Sequence, residues 1–206
     1  AIYYWLYSAW GQRYCPLLCA NHYRPRPRKT SAAPRVMILN RVSIEARPKG
    51  AGNKTRYHHF EVDTAVAPKR AGNTEAIALA AEMKSKLIIG TKIPSLSPVH
   101  MTGAITHFQN KIPMASATTD NGIENKNHAQ WGVPTFFADP HSPWQKTLIE
   151  QSIGLLRRWF FPKGTNWAMV SEEELQEALM VLNGKYRKSL GYKSALEVSR
   201  AHGSRY

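Results

Sequence analysis

The segment SPWQKTLIEQSIGLLRRWFF, residues 142–161, limits the architectures open to this chain. Ile149, Ile153, Leu156 and Phe160 recur at helical spacing, and Leu148, Leu155 and Trp159 widen the stripe. An apolar face of that breadth must be covered, and a sheet is the expected partner. Ser142 is the expected N-cap, and Pro143 suits the first turn. The rest of the chain supplies the strands. RYHHFEVDTAVA (56–67) has period two, with Phe60, Val62 and Thr64 on one face and His59, Glu61 and Asp63 on the other. TEAIALAAEM (74–83), KLIIGTKI (86–93), MASATTD (114–120) and PTFFAD (134–139) read as further strands. SPVHMTGAITHFQN (97–110) reads as a helix capped by Ser97. SEEELQEALMVLN (171–183) opens on a Ser-x-x-Glu capping box, and SALEVSRA (194–201) reads as a last helix. This order predicts an α/β fold, a mixed sheet flanked by helices.

Charge is distributed unevenly. The net charge is +14, and residues 1–54 hold ten Lys or Arg against a single acid, Glu45. The chain therefore divides into a basic N-terminal arm and linker, 1–54, and a folded core, 55–206. Within the arm, HYRPRPRKTSAAPR (22–35) is an extended linker, since alternating prolines exclude a helix or a central strand. ILNRVSIEARPKGAGNK (38–54) reads as irregular, ending in Gly-rich coil. Residues 1–12 read as the end of a helix, with Trp5, Leu6 and Trp10 available for packing. So dense a basic cluster predicts a polyanionic partner, most simply nucleic acid, because Lys and Arg gain by releasing condensed counterions. Arg24, Arg26, Arg28 and Lys29 are the expected backbone contacts there.

Other classes are disfavoured. Cys15 and Cys19, even with His22, make a poor zinc site, and two cysteines suggest a reducing cytoplasm. No apolar run approaches the roughly 20 residues of a membrane helix. The opening AIYYWLYSAW lacks the pattern of a secretory signal, and a start at Ala leads us to expect an upstream portion.

The stretch ATTDNGIEN (117–125) can be read as a hairpin turn or as a strand end presenting Asp120. The polar IENKNHAQWG that follows is a poor second strand, which disfavours the hairpin. Asp63 lies in an otherwise buried strand, and Glu150 sits at the rim of the helical stripe near Lys146 and Arg157. Clustered carboxylates repel one another and are costly to bury. A divalent cation with hard oxygen ligands removes both problems, and two such ions suit phosphoryl transfer. Lys146 and Arg157 could hold DNA phosphates beside the ions or pair with Glu150 along the helix. Trp144 and Trp159 are expected in the core.

FEVDT, TTDNG and FFADPHSPWQKTLIEQSIGLLRRWFFPKGT together resemble the catalytic core of insertion-sequence transposases of the IS-thirty type, within the Asp-Asp-Glu transposase and retroviral integrase superfamily. The resemblance runs from IYYWLY through ILNRVSIEARP to LNGKYRKSLGYKSALEV, nearly the whole chain, and the ADPHSPWQ…E block is the most specific part. It implies an RNase H-like fold with Asp63, Asp120 and Glu150 as a metal-binding triad for two Mg2+ (or Mn2+) ions. Glu61, Asn121 and Gly122 match recurrent family residues. It further implies cleavage and strand transfer of double-stranded DNA, element ends and target, by a homo-oligomer in the bacterial cytoplasm near the nucleoid. The upstream helix-turn-helix region expected of the family is absent, and the Asp120–Glu150 interval is shorter than usual through 123–133. Two rivals stay open: a catalytically inactive remnant that only binds DNA, and a basic structural protein of a ribonucleoprotein.

Overall fold

The structure, a computed structural model, describes residues 2–17, 38–67, 74–140 and 142–203. The chain forms two compact units, Ala1–Val36 and Met37–Tyr206. In the first, helix α1 (Ile2–Leu6) precedes a 3-10 helix, Gln12–Leu17. Leu6 and Cys15 are buried, the thiol donating to the Leu6 carbonyl at 3.4 Å. Trp5 stacks on Tyr14, while Trp10 stays mostly exposed, so only Leu6 of the three expected packing residues is buried. Cys19 and His22 of the disfavoured zinc site, the Pro-rich linker 22–35, and Arg24, Arg26, Arg28 and Lys29 lie outside the described residues.

The second unit is built on six strands: β1 (Val42–Ser43), β2 (His59–Val66), β3 (Ala76–Glu82), β4 (Ile88–Ile93), β5 (Ser116–Thr119) and β6 (Thr135–Phe137). Their order across the sheet is β1-β6-β5-β2-β3-β4. β2, β3 and β4 form an antiparallel meander, while β5, β6 and β1 join it in parallel. Residues 38–54, grouped with the arm by composition, are part of this unit: β1 pairs with β6, and Lys49–Gly52 forms the short helix α2 where coil was expected. A two-residue strand is too short to show periodicity.

Helices cover both faces. α3 (Pro98–Lys111) begins as expected, with Ser97 Oγ accepting from the His100 amide at 3.2 Å. Met101, Ile105 and Phe108 pack with Phe60, Val62 and the even-numbered residues of β3. On the other face, α4 (Thr147–Trp159) and α5 (Glu172–Gly184) pack against Ala65, Ile77, Leu79 and Ala81. The alternation of β2 thus sends Phe60 and Val62 to one layer and its odd-numbered residues to the other. α5 carries the predicted capping box, Ser171 with Glu174. Gly90, in β4, lies under α5: a Cβ there would come 2.6 Å from a Leu79 methyl and 3.2 Å from one of Leu179. A ribbon of β7 (Tyr186–Arg187) and β8 (Lys193–Ser194) leads to α6 (Ala195–Arg200), again opened by a capping box, Ser194 with Glu197.

The helix expected over 142–161 starts later than predicted. Residues Pro143–Lys146 wind as a 3-10 turn, and Ser142 makes no side-chain cap. The buried stripe is Leu148, Ile149, Ser152 and Leu156, with Ile153, Leu155 and Phe160 only partly buried. Trp144 and Trp159, expected in the core, are 70% and 60% exposed, and Lys185 Nζ sits 4.2 Å from the Trp159 ring centre. Among the described residues, no helix is long and apolar enough to cross a membrane.

Candidate active site

Strand register brings the two aspartates side by side. β2 and β5 pair in parallel with His59 opposite Ser116 and Glu61 opposite Thr118. The same offset carried two residues further sets Asp63 beside Asp120, which immediately follows the last residue of β5. Neighbouring strands lie about 4.8 Å apart, so the two carboxylates leave the sheet from adjacent positions. No hairpin follows: Ile123–Asn125 and His128–Trp131 are 3-10 turns occupying the shortened interval.

Each carboxylate is held by its own contacts. Asp120 Oδ1 accepts from the Gly122 amide at 3.1 Å and from Asn125 Nδ2 at 3.0 Å. Asp63 Oδ1 accepts from the Thr64 amide at 2.7 Å. Its Oδ2 takes a 3.1 Å ion pair from Lys146, whose ammonium also reaches the Val62 carbonyl at 3.3 Å. Lys146 is 5% exposed and pairs with Asp63, not with Glu150. A cation is therefore already present at Asp63, supplied by the chain.

Glu150 is one helical turn beyond Lys146 on α4, and it is exposed. Among the described residues, no three of His, Cys, Asp and Glu stand close enough to hold a metal ion together. Asp63 and Asp120 are thus adjacent, and Glu150 is carried on the helix that Lys146 ties to Asp63. Arg157, two turns further along α4, is half-buried beside the Pro162–Thr165 loop.

The start of α4 is fixed from outside the helix. Glu61, 2% exposed, accepts from the Ile149 amide at 2.9 Å, a first-turn donor that would otherwise lack a partner. Burial pushes its carboxyl upward, and this hydrogen bond opposes the rise. Carboxylates at a helix N-terminus also gain from the helix dipole. Arg47 adds positive charge nearby and donates to Thr118 Oγ1 at 3.3 Å. The preceding loop is closed by Gln145, which accepts from the Asp139 amide at 2.7 Å and donates to Asp139 Oδ2 at 2.9 Å. Asn121 secures the other side, donating to the Ala138 carbonyl at 2.8 Å and accepting from Arg41 at 2.6 Å. The motif ADPHSPWQ is in this sense a clamp that sets where the helix begins.

One acid was missed in the sequence. Glu124 is buried at 8% exposure, and its carboxyl is raised first by burial, then by the charges of Asp120 and Asp63. Its side chain folds back over Gly122, where a Cβ would fall within 2.5 Å of the carboxyl carbon. A larger residue at 122 would push this carboxylate aside, while the backbone there is ordinary extended chain. Only the spacing Asp-x-x-x-Glu within a polar stretch could have flagged it. His59, by contrast, is a satisfied strand histidine: its Nδ1 lies 2.7 Å from Ser116 Oγ, and burial holds its pKa below the usual value.

No family model matches the chain. It is 35% identical over 182 residues to the transposase for insertion sequence element IS1086 of Cupriavidus metallidurans, covering 84% of this chain and 52% of that protein. It is 30% identical over 170 residues to transposase InsI for IS30A of Escherichia coli, covering 79% and 43%. The chain thus spans about half the length of the curated relatives it matches. Among solved structures, the catalytic core domain of BIV integrase superposes with a TM-score of 0.51 at 21% identity, covering 70% of this chain and 96% of that one. The mixed sheet and its flanking helices have the RNase H-like fold of an integrase catalytic core, and the sequence is similar over most of its length to the transposases of IS1086 and IS30A.

Proposed function

We propose that this chain is the catalytic portion of a DNA transposase, cleaving DNA at the ends of an insertion element and joining the freed 3′-hydroxyl to target DNA. The observation that carries the reading is the adjacency of Asp63 and Asp120 at neighbouring parallel strands, beneath a helix that bears Glu150. The two aspartates supply hard carboxylate oxygens of the kind a divalent cation takes, and the reading requires Glu150, which does not stand close enough to join them in this structure, to swing in from α4 as the third ligand. Asp63, Asp120 and Glu150 would hold two Mg2+ (or Mn2+) ions. When bound, such ions activate an attacking oxygen and neutralise charge on the leaving one.

The chain's own residues do the positioning. Asn125 and the Gly122 amide fix one oxygen of Asp120, and among the described residues the other accepts no such bond. Lys146 pairs with Asp63, which lessens the repulsion between two neighbouring carboxylates. Glu61 anchors the first turn of α4 and so fixes the height at which Glu150 leaves the helix. Duplex DNA is the substrate of this reading, bound by a homo-oligomer in the bacterial cytoplasm near the nucleoid. Arg24, Arg26, Arg28 and Lys29 of the arm, with Arg157, supply phosphate contacts that position without specifying sequence, while Lys146, buried against Asp63, does not.

The test is incubation with DNA carrying the ends of its own element. Nicked strands bearing 3′-hydroxyls, and joined products, are expected in Mg2+ or Mn2+ and absent in EDTA. Retention of DNA with no metal-dependent product in either would leave an inactive remnant, and preferential retention of RNA would favour the ribonucleoprotein reading.

A further inference from the structure

Near the start of β2, a cleft of about 850 Å3 opens between the β3–β4 turn, the chain after α2, and the C-terminal ribbon with α6. The register sets that turn beside Phe60, at the His59 end of β2 and away from Asp120. Four lysines from three separate segments line the cleft: Lys54, Lys84, Lys86 and Lys193. Among the described residues, none of the four is within 4.0 Å of a carboxylate oxygen. The acids closest to them are committed elsewhere. Glu82 Oε2 takes the Lys84 amide at 3.1 Å and the Ser85 hydroxyl at 2.6 Å. Glu197 takes the amide and hydroxyl of Ser194 at 2.7 and 2.9 Å, and Glu61 takes the Ile149 amide. Lys84 Nζ donates to the Thr55 carbonyl and Lys86 Nζ to the Met83 carbonyl, both at 2.8 Å, but among the described residues none of the four lysines forms an ion pair. Burial and then the charge of Lys54 hold the Lys86 pKa below the ordinary lysine value.

The backbone is also strained at this place. Among the described residues, five non-glycine residues have positive φ, and four of them border the cleft: Lys54 (60°), His58 (69°), Lys86 (64°) and Tyr192 (63°). Non-glycine residues held there persist only where surrounding structure imposes it, and such positions cluster at functional sites. Two of the strained residues are themselves lysines that line the cleft. The rings of the lining, Tyr57 and His202, are stacked on each other at 3.8 Å, and Lys84 Nζ lies 4.0 Å from the Tyr57 ring centre. Cations with no available stacking platform suit a phosphate backbone and not an unpaired base.

We propose that this cleft binds the sugar–phosphate backbone of duplex DNA, without sequence preference, as a site separate from the carboxylates. The choice of DNA as the polyanion rests on the transposase reading; the presence of an anion site does not. The experiment is equilibrium binding of the full chain to a fluorescent duplex of arbitrary sequence over a range of salt. Each lost phosphate contact lowers the slope of log K against log salt by about 0.9. Lys54→Gln with Lys193→Gln is expected to lower that slope by about 1.8 and to weaken binding at least about tenfold near 0.1 M salt. Arg158→Gln with Lys163→Gln removes the same charge elsewhere and is expected to change the slope by less than half as much. Equal slopes for both pairs, whether unchanged or equally lowered, would overturn the proposal. Lys193→Gln alone, at an exposed ribbon position, is expected to give half the change and serves if the pair lowers the melting temperature. Strand cleavage measured on the same preparations separates the two readings. Slopes that differ as expected without cleavage sustain the cleft and sink the transposase; cleavage with equal slopes does the reverse.

Discussion

Replacing Asp120 with Asn is expected to lower metal-dependent strand cleavage by about three orders of magnitude or more while the fold persists. The loss follows from the charge. An amide oxygen is a far weaker ligand for a hard dication, and several kcal/mol of transition-state stabilisation correspond to at least about a thousandfold in rate. The fold should persist because the side-chain oxygen of Asn can still accept from the Gly122 amide and from Asn125 Nδ2. The melting temperature should therefore move little. Asp63→Asn is a less clean probe, since it would leave Lys146 buried beside a neutral partner. Wild-type and Asp120→Asn chains cleaving at the same rate would remove the enzymatic reading and leave a DNA-binding protein.

The largest stability effect is expected at Asn183, far from the carboxylates. β4 is the edge strand of the sheet, and an unpaired edge exposes backbone groups. Asn183, completely buried on α5, accepts from the Ile88 amide at 2.8 Å and donates to the Ile88 carbonyl at 2.7 Å. Its amide pairs with the edge as a neighbouring peptide would. Asn183→Ala strands one buried donor and one buried acceptor at roughly 1–3 kcal/mol each. The gain in helix propensity returns less than about 0.7 kcal/mol. A net loss of roughly 2–5 kcal/mol is expected, read as a fall in melting temperature on the order of 5–15 °C in thermal unfolding. A shift below about 2 °C would mean that water replaces the amide and that the edge is not sealed by it.

The parts of this structure that could be read from sequence are those written in local pattern. β2 alternates, so Phe60 and Val62 separate from Glu61 and Asp63. Ser97, Ser171 and Ser194 announce their helices because a cap is a contact over three residues. The features that local pattern missed depend on distant partners. α4 begins at Thr147 and not after Ser142, because Gln145 is held by Asp139, Lys146 by Asp63, and the first helical amides by Glu61, some 88 residues upstream. The pairing of Asn183 with Ile88 spans 95 residues and leaves no trace in helical periodicity. The same holds for the candidate site. Asp63 and Asp120 stood out as acids within and at the end of strands, whereas Glu124 sits in a polar stretch where its burial could not be foreseen. Trp144 and Trp159 fail in the opposite sense, as large apolar residues that the fold leaves in solvent.

The proposed chemistry requires these carboxylates to bind a dication. Calorimetric titration of Mg2+ and of Mn2+ into the chain should give a saturable heat. That heat should be lost in Asp120→Asn and reduced in Glu150→Gln, with circular dichroism unchanged. The same isotherm from the wild type and from both variants would show that the acids do not grip the ion.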